Sequence, residues 1–589
     1  MMRMAAMSLA AAAALATPTS AQQRIDSKVD LAFDRFYDAD GIESGMRRLA
    51  EAYPGLCRIE RIGTTALGRP MLAMVICNPR TGEESSKPGM YIDGAIHANE
   101  IQAGETVLYT AWYLLSAHGQ VPQLTALVDR TVFYLVPLVN PDGRVEWFTR
   151  ANTPNSARTG QKPVDNDGDG TADEDGPDDL DNDGHITVMW RRDPLGTHRR
   201  DPRDPDRMVP VPAEPKADGT REYGDWAFAG TEGTDEDGDG RTNEDGPGGY
   251  DMNRNFPSGW EPENVQDGAG AYPLCWPETR AIADWVLSKP NIAAAQSYHN
   301  AGGMILRGPG APWRESEYPS EDAATYQRIQ EAGAQLLPFY RPMVIHKDLY
   351  TVHGGEVNWM AEGLGIVALT NELWSDKRIM QDGQEPSEAE RRAWNERMLF
   401  GQSRSPLREV PHPEFGTVLV GGGTKFSARI PPNFMMLEEL HRNFAFTAFH
   451  AEQMPLLRFE RVDTREIAPG TWEVTASVAN DRLIPTRTRR AADRGVGLDD
   501  VLTLSGAEVV AAGRPARRTD HAMALQPFEP ARLRFEAGVP GNGSAVGRFL
   551  VKGSAGTPIG LRWQSQRASP ASMRVILGDP TAAPADGTR

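Results

Sequence analysis

The sequence predicts an α/β protein with a mixed central sheet and helices on both faces, followed by an all-β sandwich. Three observations predict it. Between residues 30 and 150, short apolar runs alternate with helix-period segments, the pattern of strands and helices taken in turn. After an Asp/Gly-rich interruption at 151–250, the alternation resumes at 276–300 and 364–373. From residue 456 helical periodicity stops, and short alternating runs separated by Gly and Pro take over.

The elements follow in chain order. Residues 1–21 carry an early Arg3, an Ala/Leu/Met run and small residues up to Ala21. That is a secretory signal peptide cleaved near Ala21–Gln22, with a bacterial, Ala-rich composition, so the expectation is a secreted or periplasmic bacterial protein. "GIESGMRRLAEAYPG" is an amphipathic helix ending at Gly55. "LAMVICNP" (72–79), "MYIDGAI" (90–96) and "TVFYLVPLVN" (131–140) are buried strands, and "IQAGETVLYTAWYLLSAHG" is a helix stopping at Gly119. Helices are expected near 321–337 and 386–400. The catalytic unit is placed at 22–455, the sandwich at 456–577 and a disordered tail at 578–589. The sandwich is expected to be separable.

The 589 residues are 40% hydrophobic and 24% charged, ample for a large core and more than one domain. The net charge of −19 argues against a nucleic-acid partner. No segment after the leader is long and apolar enough to span a membrane. Three cysteines, Cys57, Cys77 and Cys275, are too few for a disulfide framework, and their spacing fits no zinc knuckle.

The chemistry gathers at strand ends. His97 and Glu100 sit three residues apart where the 90–96 strand gives way to the following helix. A catalytic zinc site uses three protein ligands and a water, so this loop offers two of the three. "IAAAQSYHN" ends in His299 and "GIVALTNELW" carries Glu372. Polar residues at the carboxyl ends of apolar strands are where an open α/β sheet builds its site.

The ordered series HxxE (97–100), NPDG (140–143), MWR (189–191), NRNF (253–256), a strand-end His299, Tyr350 before Gly354–Gly355, and the strand-end TNEL (370–373) resembles the zinc metallocarboxypeptidases of the carboxypeptidase A type. The resemblance spans about 30–455. It implies His97, Glu100 and His299 as zinc ligands and Glu372 as general base. It implies Arg191 as oxyanion stabiliser, Asn253 and Arg254 as the clamp on a substrate's terminal carboxylate, and Tyr350 as a mobile lid residue. Val357 falls where relatives set specificity, and a valine there implies an apolar or aromatic preference. Asn99 departs from the arginine of many members, and Cys275 and Trp276 replace a Ser–Glu pair.

Three acidic loops share the pattern D-x-D-x-D-G: Asp165, Asp167, Asp169 with Gly170; Asp179, Asp181, Asp183 with Gly184; and Asp235, Asp237, Asp239 with Gly240. Carboxylates at alternate positions repel one another, and calcium, which takes six to eight oxygens, is the expected counter-ion. The loops resemble those of thrombospondin-type repeats.

The expected function is therefore a secreted zinc carboxypeptidase acting on peptide or protein C-termini, with zinc and calcium as cofactors. The alternatives are an amidohydrolase on the same scaffold that trims cell-wall peptides, and a calcium-dependent binding protein on an inactive peptidase scaffold.

Overall fold

The computed structural model describes residues 25–579. The leader at 1–21 and all but the first two residues of the tail lie outside the described residues. An eight-stranded sheet forms the centre. Its order runs Cys57–Thr64, Pro70–Ile76, Val132–Val136, Gly89–Gly94, Ile292–Asn300, Val367–Leu373, Met304–Arg307, Arg341–Val344. The four middle strands, from Val132–Val136 to Val367–Leu373, are mutually parallel, and the strands pairing with them on either side are antiparallel. Both faces are covered, as the near-continuous apolar strands require. Helices Ala39–Ala52, Gln102–Ala117 and Asn433–Glu452 pack on one face, against Met90, Ile92 and Leu369. Helix Pro277–Leu287 and the turn at 357–360 pack on the other, with Tyr91, Ala295 and Ala368.

Local chemistry fixes where elements start. Asp38 caps the first helix by accepting from the Gly41 amide at 2.8 Å. In NPDG, Asn140 accepts from Gly143 at 2.9 Å, and Pro141 sits at the first helical position, so the motif is a helix start.

The interruption at 151–250 is not loop alone. Val188–Gly196, His198–Asp201, Asp204–Pro210 and Gly224–Thr231 join Arg404–His412 and Gly416–Gly423 in a second, six-stranded sheet. Sequence periodicity missed it for a physical reason. Among the described residues its buried apolar cluster joins Met189 to Val410, Val418 and Val420, and the three valines come from a segment more than two hundred residues away.

Residues 457–576 form a five-stranded and a four-stranded sheet that share one core, with Trp472, Val474 and Phe549 facing Leu502, Leu561 and Trp563. This unit is tied to the segment just before the Glu372 strand. Arg567 donates to the carbonyls of Gly365 (2.6 Å) and Leu364 (2.8 Å), Thr488 donates to Gly365, and Asp322 accepts from the amides of Arg489 and Arg490. All three cysteines are free thiols. Among the described residues no helix is long and apolar enough to cross a membrane.

Arg567→Ala removes two charged donors from carbonyls at this joint. It should cost about 2–3 kcal/mol, read as a lower urea midpoint for the first unfolding transition; an unchanged midpoint would show that the joint bears no load.

Candidate functional site

The strand Gly89–Gly94 gives way to a turn through 95–101 before helix Gln102–Ala117 begins. This turn carries His97 and Glu100. His299 arrives from the end of the neighbouring parallel strand. The three side chains are almost fully buried, and their donor atoms converge. His97 Nδ1 lies 3.2 Å from His299 Nδ1 and 3.1 Å from Glu100 Oε1, and His299 Nδ1 lies 2.8 Å from Glu100 Oε2. Two nitrogens bound tetrahedrally to one zinc lie about 3.3 Å apart, so the donor set has the edge lengths of a zinc site. Behind it, Asp251 accepts from His97 Nε2 at 2.9 Å, which fixes the ring with Nδ1 free to ligate. Burial alone would raise the Glu100 carboxyl, but the facing charges of His97 and His299 outweigh it and hold it well below the usual range. Asp251 is held down in the same way, chiefly by His97 and then Arg254.

Glu372 pairs in register with His299 across parallel strands, on the same sheet face. Among the described residues nothing hydrogen-bonds its carboxyl. Burial first, and the Glu100 charge second, raise that carboxyl to about 7. A cation between the two acids would pull it back down.

The arginine expected at this site is not Arg191. Arg191 lies in the middle of the second sheet, between Val418 and Ala227, with its side chain 44% exposed beside Asp193 and Phe415. Arg158 is the arginine the fold sets beside the donor cluster. It donates to Glu100 Oε1 at 2.9 Å, approaches Asp251 Oδ2 at 3.5 Å, and lies within electrostatic reach of Glu372 and Tyr350. Its backbone is pinned on both sides, because the Ala98 amide donates to the Arg158 carbonyl and Asn140 Nδ2 donates to that of Thr159. Motif order misled because the insertion begins just after this arginine. The insertion's two ends meet where the Gly160 amide donates to the Tyr250 carbonyl, with Tyr250 so close that a Cβ on Gly160 would stand 1.9 Å from its ring. Without 161–249, only Thr159, Gly160 and Tyr250 would separate Arg158 from Asp251 in the sequence. A second arginine, Arg429, also lacked a sequence signal. It donates to Glu100 Oε1 at 2.9 Å from 329 residues further along the chain, whereas Asn99, where the resemblance leads one to expect arginine, donates to the Pro154 carbonyl.

Asn253 and Arg254 lie on the single turn Met252–Arg254, directly after Asp251. Asn253 Oδ1 accepts from the Glu356 amide at 2.9 Å, and Arg254 Nη1 folds back onto the Asn253 carbonyl. Gly354 crosses above Arg254 with φ +63°. A Cβ there would lie 2.1 Å from the Arg254 carbonyl, so the Gly–Gly turn is required by this crossing. Tyr350, at the start of the same loop, is 58% exposed. Val357 is buried in the apolar layer with Met360 and Ile366. Its neighbour Glu356 is the polar residue at this position: it is buried and accepts from Tyr91 Oη at 3.1 Å.

The first and third acidic loops have matching geometry. Asp165 accepts from the Gly168 and Gly170 amides at 2.6 and 3.0 Å, and Asp235 accepts from Gly238 and Gly240 at the same distances. They meet at a bridge between Asp175 and Asp245. Asp165, Asp167 and Asp169 form one oxygen cluster; Asp167 also groups with Glu174 and Asp245, and with Asp237, Asp239 and Glu244. In the middle loop Asp179 accepts from Asp183 and Gly184, and Arg408 pairs with Asp181 at 3.1 Å.

Comparison with known proteins gives a consistent picture. The profile described as zinc carboxypeptidase matches residues 42–176 and 224–398, more than half of the chain, and a domain of unknown function matches 456–576. Inactive metallocarboxypeptidase ECM14 of Saccharomyces cerevisiae is 30% identical over 122 residues, 21% of this chain and 28% of that protein. Carboxypeptidase A2 of Rattus norvegicus is 32% identical over 113 residues, 19% of this chain and 26% of that protein. The aligned segments thus span less than a third of these relatives. Among solved structures, thrombin activatable fibrinolysis inhibitor covers 71% of this chain and 74% of its own, at 16% identity and a TM-score of 0.41.

His299→Ala should leave a folded chain that no longer retains zinc through dialysis, since two donors hold the ion weakly. Elemental analysis with a zinc-loaded wild-type control checks this, and stoichiometric zinc in the variant would overturn the ligand set.

Proposed function

The chain belongs to the zinc carboxypeptidase family, and from that membership we propose that it is an active, exported peptidase that removes C-terminal residues. The observation that carries the reading is Glu372, a carboxyl free of hydrogen bonds, in register with His299 and beside a three-donor cluster. A scaffold kept only for binding has no need of that acid.

His97, Glu100 and His299 would hold zinc, which supplies Lewis acidity toward a carbonyl and makes water more acidic. Glu372 takes a proton from the attacking water and later gives it to the leaving amine. Arg158 faces the place where negative charge develops on the substrate oxygen, and stabilises it there. Arg429 is a positioning residue that steadies Glu100. Asn253 and Arg254 bind the terminal carboxylate, for which the guanidinium fork is suited. Tyr350, exposed at the mouth, closes over bound substrate.

A zinc-loaded preparation should cleave a blocked dipeptide with a free C-terminus and lose most activity on its C-terminal amide. Equal rates on both would point to an amidase or an endopeptidase. Arg158→Ala should lower kcat by about 10²–10³, while Arg191→Ala stays within about twofold, as surface substitutions do. The reverse ranking would restore Arg191 to the site.

We also propose calcium in the paired first and third loops, with Asp165, Asp167, Asp169, Asp235, Asp237 and Asp239 supplying oxygens. Two facts beyond the acidic cluster support it. Asp175 at the bridge is 1% exposed and its Oδ2 has no partner, and all four carboxylate oxygens of Glu174 and Glu244 are buried without one. In the middle loop of Asp179, Asp181 and Asp183, Arg408 already pairs with Asp181. Burial and neighbouring acids raise Glu174 to about 7 and Glu236 to about 8. Such groups keep protons in the fold that the unfolded chain gives up. Without a cation the loops therefore lose stability as pH rises from about 4.5 toward 8. A calcium-selective chelator, with zinc resupplied, should speed protease nicking between 150 and 250, more at pH 8 than at pH 5.5, and calcium should reverse it. No calcium on metal analysis and no change in nicking would refute the assignment.

A further inference from the structure

Beyond the end of strand Val367–Leu373, the second sheet and helix Glu388–Arg397 bound a cleft of about 620 Å³. Trp374, two residues past Glu372, lies in its wall, and so does Ile430, next to Arg429. These two residues join the cleft to the metal donors, because Arg429 itself donates to Glu100 and to the Asn300 carbonyl. The clamp lies on the other side. Asn253 and Arg254 sit between Met252 and Phe256, which pack in the layer of helix Pro277–Leu287. The cleft wall ends instead at Pro432, where helix Asn433–Glu452 of the opposite layer begins. A peptide with its carboxylate on the clamp and its scissile carbonyl at the metal donors therefore leaves the site toward Trp374 and Ile430.

The lining suits a peptide. Helix Glu388–Arg397 has no buried residue. Two ion pairs anchor it across the cleft, Arg207 of strand Asp204–Pro210 with Glu388, and Arg391 with Asp376 just after Trp374. Trp190, Trp394 and Phe426 supply aromatic surface, and Phe426 is 41% exposed and so free to meet a ligand. Both signs of charge line the cleft as well, Arg392 and Arg404 against Asp204 and Glu396. That mixture of donors and acceptors matches the alternating N–H and C=O groups of a backbone, and offers no excess of one sign to a free anion or cation. The volume falls within the ~300–1,000 Å³ of clefts that hold ligands larger than one amino acid. Most of the lining, from Val188 to Met208 and from Leu399 to Pro432, lies outside the matched segments 42–176 and 224–398. The cleft is thus largely added to the peptidase scaffold.

We propose that this cleft binds the stretch of substrate upstream of the scissile bond, so that the preferred substrates are oligopeptides rather than dipeptides. The inference rests on the carboxypeptidase reading and names its substrate class. Contacts remote from the reacting bond hold the scissile carbonyl in place, and a truncated substrate forfeits them. The insertion sheet and the exposed helix then have one task in common, to hold the chain that the clamp and the metal donors leave unsupported.

The test uses the full-length, zinc-loaded protein and blocked peptides that share their last two residues and are lengthened upstream from two residues to six. The kcat/KM should rise by about tenfold or more between the dipeptide and the pentapeptide, the worth of one well-anchored aromatic contact. Ser427→Trp, an exposed position in the cleft wall, fills the space, and Trp394→Ala removes an aromatic face from the solvent-exposed helix. Each should cut the pentapeptide-to-dipeptide ratio of kcat/KM by about fivefold or more. A second measurement is independent of turnover: calorimetry on zinc-loaded Glu372→Gln should show the blocked pentapeptide binding about tenfold tighter than the blocked dipeptide, and adding Ser427→Trp should erase the difference. A kcat/KM indifferent to length, or a length dependence that both variants leave intact, would overturn the cleft, while cleavage of free but not amidated C-termini would leave the peptidase reading standing. Neither turnover nor binding of a peptide of any length would overturn both.

Discussion

The site depends on one pairing: the parallel register between Ile292–Asn300 and Val367–Leu373. It sets Glu372 opposite His299 and Thr370 opposite Ser297. A slip of one residue would turn His299 or Glu372 to the far face, where Asn371 and Gln296 now bond one another and reach helix Asn433–Glu452. Those buried amides act as a lock on the register. Gln296 Oε1 accepts from His450 Nδ1, and Asn371 donates to Asn443, so a slipped sheet would leave several polar groups buried and unpaired.

Around this register the chain balances charge over short distances. Glu100 receives two histidines and two arginines, and Asp251 is shared by His97 and Arg158. The arrangement gathers cationic groups around the two acids nearest the metal donors. The acidic loops show the opposite balance, an excess of carboxylate, and they lie on the segment that joins Arg158 to Asp251. Any ion that fixes the Asp175–Asp245 bridge also fixes the spacing of those two residues, through the Gly160–Tyr250 contact.

The sequence carried the parts of this site that are local. His97 with Glu100, the strand-end His299 and Glu372, and the Asn253–Arg254 turn each sit in a short segment whose pattern reveals its position. The alternation of apolar runs gave the central sheet, and the Gly/Pro-punctuated runs after 456 gave two packed sheets. What failed was whatever depends on distant contact. Arg191 stood in the expected order but on a sheet whose core comes largely from 410–420. Arg158 and Arg429 reach Glu100 only once the insertion is folded out and the far segment folded in.

The central claim is that His97, Glu100 and His299 form one zinc centre while the acidic loops take a different ion. Zinc-edge X-ray absorption on the full-length protein, loaded with one zinc and excess calcium, tests it most directly. The account predicts a four- or five-coordinate zinc with two imidazole nitrogens at about 2.0–2.1 Å and oxygens for the rest. A zinc surrounded by six oxygens without imidazole scattering would place the metal in the acidic loops, and would contradict the account.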